Sequence, residues 1–140
     1  MPGLWGWLFK LLRLEPTVDR FREKTQANWI AQNQPGIWAA TRHYLLLSGY
    51  LNYRLTGQFR DSVGSQVGYI PFDYKRHQWA GQRDFKWLTM PVRREMLPEL
   101  VKPGDKIGNL TEDAARHLGL PAPLPVIAAA SDKACEILGS

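Results

Sequence analysis

The segment "PLPVIAAASDKACEILGS" near the C-terminus narrows the choice of fold more than any other stretch of the chain. Its apolar run, Val126 to Ala130, has the length of a strand and no polar residue alternating within it, so it reads as a buried strand. From Lys133 the sequence becomes helix-like. A buried strand that passes straight into a helix implies helices packed on a sheet, an α/β or α+β arrangement. An acid, Asp132, stands at the junction.

Upstream, Ile37, Tyr44, Leu45, Leu47, Leu51 and Leu55 recur at spacings close to three and four, with Pro35 placed for a first helical turn and Gly57 for a stop. The spacing predicts one long amphipathic helix, with Trp38, Tyr44, Tyr50 and Tyr53 packed in a core. From Gln58 to Asp73 the period shortens, and small residues such as Gly64, Ser65 and Gly68 separate extended pieces, with Pro71 at an edge or a strand end. One or two short helices punctuated by Pro91 and Pro98 follow. A turn at Pro103-Gly104 then leads into an extended segment. Thr111 is placed to cap the helix "EDAARHLG", with Glu112 and Asp113 at the positive end of its dipole and Gly119 at its stop. "LPAPLP" is a rigid link into the closing strand. No internal repeat or low-complexity tract interrupts the order.

With 140 residues the chain suffices for one domain or part of one, and 44% hydrophobic with 22% charged residues is globular composition. The single cysteine, Cys135, excludes an intrachain disulfide and fits a reducing cytoplasm; one turn after Asp132, it reads as a small packed residue. "MPGLWGWLFKLLRL" has the apolarity of a signal peptide, but Lys10 and Arg13 interrupt it and no small-residue cleavage site follows. No uncharged apolar run approaches the ~20 residues of a membrane span, so no membrane partner is expected. The net charge of +5 is spread through the sequence and reads as solvated surface, not a nucleic-acid footprint.

Several familiar chemistries are absent from the sequence: the phosphate loop G-x-x-x-x-G-K-[ST], the dinucleotide fingerprint, H-E-x-x-H and the G-x-S-x-G elbow. His43, His77 and His117 are far apart among charged neighbours and read as surface residues, leaving no metal set. Asp132 admits two readings. At a strand's carboxyl end a carboxylate can face a cleft and take a proton from a substrate hydroxyl; equally, Ser131 or Asp132 can be the N-cap of the last helix.

In order, Leu97 to Leu100, Pro103-Gly104, Gly108 to Thr111, Ala114 to Pro121, Pro125-Val126, Asp132 and Leu138-Gly139 resemble the FGGY family of carbohydrate kinases, which includes xylulokinase and glycerol kinase. "NWIAQNQPGIWAATRHYLLLSGYLNYRLTG" and "FDYKRHQWAGQRDF" resemble preceding parts of the same domain, so the likeness covers residues 25 to 140 and leaves residues 1–24 of unclear relation. Two departures stand out. The family's glycines before the acid are Ala129, Ala130 and Ser131 here, and its Asp-x-[Ser/Thr]-Asn-Ala-Ser-like stretch is "DSVGSQVGYIPFD", lacking the Asn and one residue off in its spacing to the next Asp.

The resemblance implies the later part of a first, actin-like (ribonuclease H-like) domain. It also implies transfer of the γ-phosphate of ATP to a hydroxyl of a sugar or polyol, with Asp132 as catalytic base and Mg2+ accompanying ATP. Pentulose, hexulose, glycerol and polyol acceptors are equally consistent with it. No residue here matches the family's nucleotide site, so the chain alone is expected to be inactive. The alternative is a non-catalytic kinase relic that forms a homo-oligomer or binds a partner, and a basic nucleic-acid binder ranks last.

Overall fold

The computed structural model describes residues 19, 22, 23, 25–68 and 70–139. The reading of the N-terminal segment as an interrupted leader falls on residues 1–18, outside those described. The chain divides into two compact units, Met1–Thr41 with Gly81–Val92, and Arg42–Ala80 with Arg93–Ser140.

In the first unit two helices follow one another, α1 (Gln26–Asn33) and α2 (Pro35–Ala40). Pro35 occupies the first turn of α2, where its missing N–H costs nothing. Asn28 ties α1 to the Gly81–Val92 segment by donating its side-chain amide to the carbonyl of Thr89 (2.7 Å). Ala27, Met90 and Val92 are buried.

The second unit opens with α3 (Leu47–Thr56) and continues through β1 (Arg60–Ser62), a 3-10 turn (Val63–Ser65), β2 (Phe72–Asp73) and β3 (Gln78–Trp79). A second 3-10 turn (Arg94–Met96), β4 (Glu99–Val101), β5 (Lys106–Asn109), α4 (Glu112–Leu118), β6 (Pro125–Ile127) and α5 (Asp132–Gly139) complete it. Three two-stranded pairs result: β1 with β4 in parallel, and β2 with β3 and β5 with β6 antiparallel. The parallel register Arg60↔Glu99 places an ion pair across the strands at 2.9 Å. The core gathers Phe72, Trp79, Met96, Leu97, Ile107 and Leu110, with the Trp79 indole N–H donating to the carbonyl of Pro98 (2.8 Å). Helix α3 lies so close to β5 that a Cβ on Gly108 would stand 2.9 Å from the Thr56 Cβ, a separation only glycine permits.

Local signals behave as the residues dictate. Gly57 ends α3 at φ +70° and Gly119 ends α4 at φ +67°, while the Thr111 hydroxyl accepts from the Ala114 N–H (3.2 Å). The single helix expected through Ile37 to Leu55 is instead split into α2 and α3, with 41–46 outside regular structure. Tyr44 donates its backbone N–H to the carbonyl of Met96 (2.7 Å), and that long-range bond replaces a helical one. None of Trp38, Tyr44, Tyr50 and Tyr53 is fully buried, contrary to the core expected for them; Tyr50 is exposed and Tyr53 stacks on Phe59. The closing strand is shorter and more open than its apolar run implies. β6 stops at Ile127, which is 51% exposed, and only Ala128 of the run is buried, because among the described residues β6 pairs with β5 alone.

Candidate functional site

The 3-10 turn after β1, the start of α3 and the start of α5 converge on one open cleft of about 660 Å³. Leu46 just before α3 and Leu47 and Ser48 in its first turn line it on one side, Gly64 and Ser65 of the turn and Val67 just after it on another, and Ala130 and Ser131 before α5 with Lys133 in its first turn on the third. Asp132 is the first residue of α5, between two residues that line the cleft. The Ser131 carbonyl accepts from the Cys135 N–H (3.0 Å), the first bond of that helix.

Beneath the cleft sits Asp61, with 1% of its surface exposed. Its carboxylate accepts four hydrogen bonds. The Ser48 hydroxyl (2.7 Å) and the Gln66 amide (2.8 Å) donate to Oδ2, and the Asn52 amide (3.0 Å) and the Ser62 backbone N–H (2.8 Å) donate to Oδ1. Among the described residues no Lys, Arg or His forms an ion pair with it. Burying a carboxylate is tolerable only when its lone pairs are satisfied, and four donors achieve that here. Ser48 and Asn52 lie one turn apart on α3, so a single acid fastens the helix to the strand and to the turn that follows.

The turn in turn grips the backbone that leads to Asp132. The Ser62 hydroxyl donates to the carbonyl of Ala129 and accepts from the Gly64 N–H. A Cβ on Gly64 would lie 2.9 Å from both the Ala130 carbonyl carbon and the Ser131 nitrogen. The sequence places Ala129, Ala130 and Ser131 where glycines were expected, and the glycine that close backbone approach requires stands on the opposite side of the contact, at Gly64.

The sequence singles out Asp132 as a site residue and Asp61 only as the first residue of the family-like stretch "DSVGSQVGYIPFD"; the bonds from Ser48, Asn52 and Gln66 to Asp61 are not foreseen. The signal lay in two polar residues four apart on a predicted helix that is otherwise rich in apolar residues. His43, His77 and His117 are all exposed, and among the described residues no three His, Cys, Asp or Glu side chains gather in a group that could hold a metal ion. Cys135 is also exposed, not packed as expected, on a helix whose Lys133, Glu136 and Ile137 share that exposure.

The profile of the FGGY family of carbohydrate kinases, N-terminal domain, matches residues 13–139. An uncharacterized sugar kinase of Escherichia coli K12 is 40% identical over 94 residues, 66% of this chain and 19% of its own length. L-fuculokinase of the same organism is 31% identical over 115 residues, 80% of this chain and 23% of that protein. The chain thus spans about a fifth of the length of the curated relatives it matches. In architecture it resembles the crystal structure of ligand-bound xylulose kinase from Lactobacillus acidophilus, with a TM-score of 0.71 at 16% identity over 96% of this chain and 29% of that one. A kinase structure from Brucella ovis gives a TM-score of 0.67 at 23% identity, covering 89% of this chain and 27% of the other. The mixed helix and strand architecture is part of an actin-like domain, and the chain belongs to the FGGY family of carbohydrate kinases.

Proposed function

We propose that this chain is part of an ATP-dependent kinase of a sugar or polyol and supplies its general base, Asp132. As the acceptor hydroxyl oxygen bonds to the γ-phosphorus of ATP, the bond from that phosphorus to the β,γ-bridging oxygen breaks. The hydroxyl proton passes to the Asp132 carboxylate, and ADP departs. Such a transfer depends mostly on holding the acceptor in line and on stabilising charge, so a base fixed by the backbone at a helix start suits it. The observation that supports this reading is the position of Asp132 between Ser131 and Lys133, both of which line the cleft.

Mg2+ accompanies ATP in such a kinase, but the described residues do not gather into a site for it, and it is assigned no ligand here. The rest of the kinase holds the nucleotide. The 140-residue chain by itself is therefore expected to transfer no phosphate, and a cytoplasmic location fits its lone free thiol. The test is ATP-dependent phosphorylation of a panel of pentuloses, hexuloses, glycerol and polyols by the complete kinase that carries this chain. Turnover of at least one acceptor is expected, and failure with every acceptor would contradict the reading. A second reading, a non-catalytic oligomerising relic, draws on exposed apolar side chains such as Leu47 and Ile137. A single well-defined oligomer in light scattering would favour it, and polydisperse association would count against it.

A further inference from the structure

We propose that Asp61 is a positioning residue for the site at the start of α5, acting through Ser62 and the 3-10 turn. This rests on the reading of Asp132 as the base. A buried carboxylate that only held the fold together could bond to any neighbouring elements. The four donors to Asp61 instead come from α3, from β1 and from the end of the turn, and α3 and the turn supply two of the three walls of the cleft. The third wall is formed by Ala130, Ser131 and Lys133, and Ser62 holds the carbonyl of Ala129, the residue just before it.

The chain of contacts is therefore short. Asp61 fixes the Ser62 N–H, the Ser62 hydroxyl fixes the Ala129 carbonyl, and the turn brings Gly64 into backbone contact with Ala130 and Ser131. Asp132 follows next in sequence. A carboxylate is needed at 61 because all four contacts are donors, two to each oxygen. An asparagine in either orientation would set its own NH2 against two of them. Neither Asp61 nor Ser62 lines the cleft, so changing them alters its geometry without altering its surface chemistry.

The experiment has two readouts. In the 140-residue chain, the backbone amide resonances of Ala130, Ser131 and Lys133 are compared in Asp61→Asn, Ser62→Ala and, as a control, Asp113→Asn on the exposed face of α4. The first two variants are expected to move those resonances, and the control is not. In the complete kinase, Ser62→Ala is expected to lower kcat on the order of a hundredfold, as a misplaced reacting group does. The KM for the sugar should change little, and Ser62→Thr, which keeps the hydroxyl, should restore most of the rate. If Asp61→Asn does not fold, Ser62→Ala decides alone. Resonances of residues 130, 131 and 133 that stay in place in every folded variant, with only the melting temperature lowered, would overturn the proposal. Normal turnover in Asp132→Asn would defeat the base reading instead, and the amide resonances would still decide the role of Asp61.

Discussion

Asp61 shows how much one residue can hold. Truncation to alanine would take the acceptor from the buried Ser62 N–H and from one of the two N–H groups of the Gln66 amide, the other keeping the Ser62 carbonyl (3.0 Å), at about 1–3 kcal/mol each. Asp61→Ala is therefore expected to lower unfolding free energy by roughly 4 kcal/mol in urea titration, whereas Asp113→Ala, exposed on α4, should change it little. Tyr44 provides a second residue-scale test, because burial pushes its phenol above the ordinary tyrosine value. A folded-state value above the unfolded one means that the stability concerned is present below about pH 10 and is lost as pH rises through the folded-state value. Denaturation curves between neutral and alkaline pH should show that loss, and Tyr44→Phe should reduce it. The place of Asp132 at the start of a helix was legible in the sequence because its signal is local, an acid between an apolar run and a helix-like segment. The network around Asp61 was not, because its side-chain partners, though at most 13 residues away, lie on α3 and at the end of the 3-10 turn, which only folding brings together with β1.

At the scale of elements, the parts fixed by backbone geometry were the readable ones. Gly57, Thr111 and Gly119 mark helix ends through conformations and caps set within a few residues. Gly57→Ala places a Cβ in ordinary contact, 3.9 Å from the Thr111 Cγ2, so its cost is conformational and should be about 1–2 kcal/mol in thermal or chemical melts. Thr111→Ala should cost about 1 kcal/mol by removing the cap on α4. The break between α2 and α3 was hidden because the apolar spacing continues across it. What ends the helical pattern is the Tyr44 to Met96 backbone bond, made with a residue far along the chain. The closing strand was misjudged for a related reason: an apolar run signals burial but does not say what covers it, and β6 has β5 beside it and little else among the described residues.

At the scale of the whole molecule, the exposed Leu47 (73%), Ile137 (74%) and Ile127 give this chain apolar surface that water does not favour. Light scattering on the 140-residue chain is expected to show concentration-dependent association, reduced by Ile127→Lys, which puts a charge on the open side of β6. The chain belongs to a family of carbohydrate kinases, and the function proposed for it is phosphoryl transfer in which Asp132 takes the proton of the acceptor hydroxyl. The measurement that tests it most directly is the kcat of Asp132→Asn in the complete kinase, with circular dichroism confirming that the fold is kept. A fall on the order of a hundredfold to ten-thousandfold is expected for loss of a general base. Turnover within about twofold of the parent, far short of that range, would contradict Asp132 as the base.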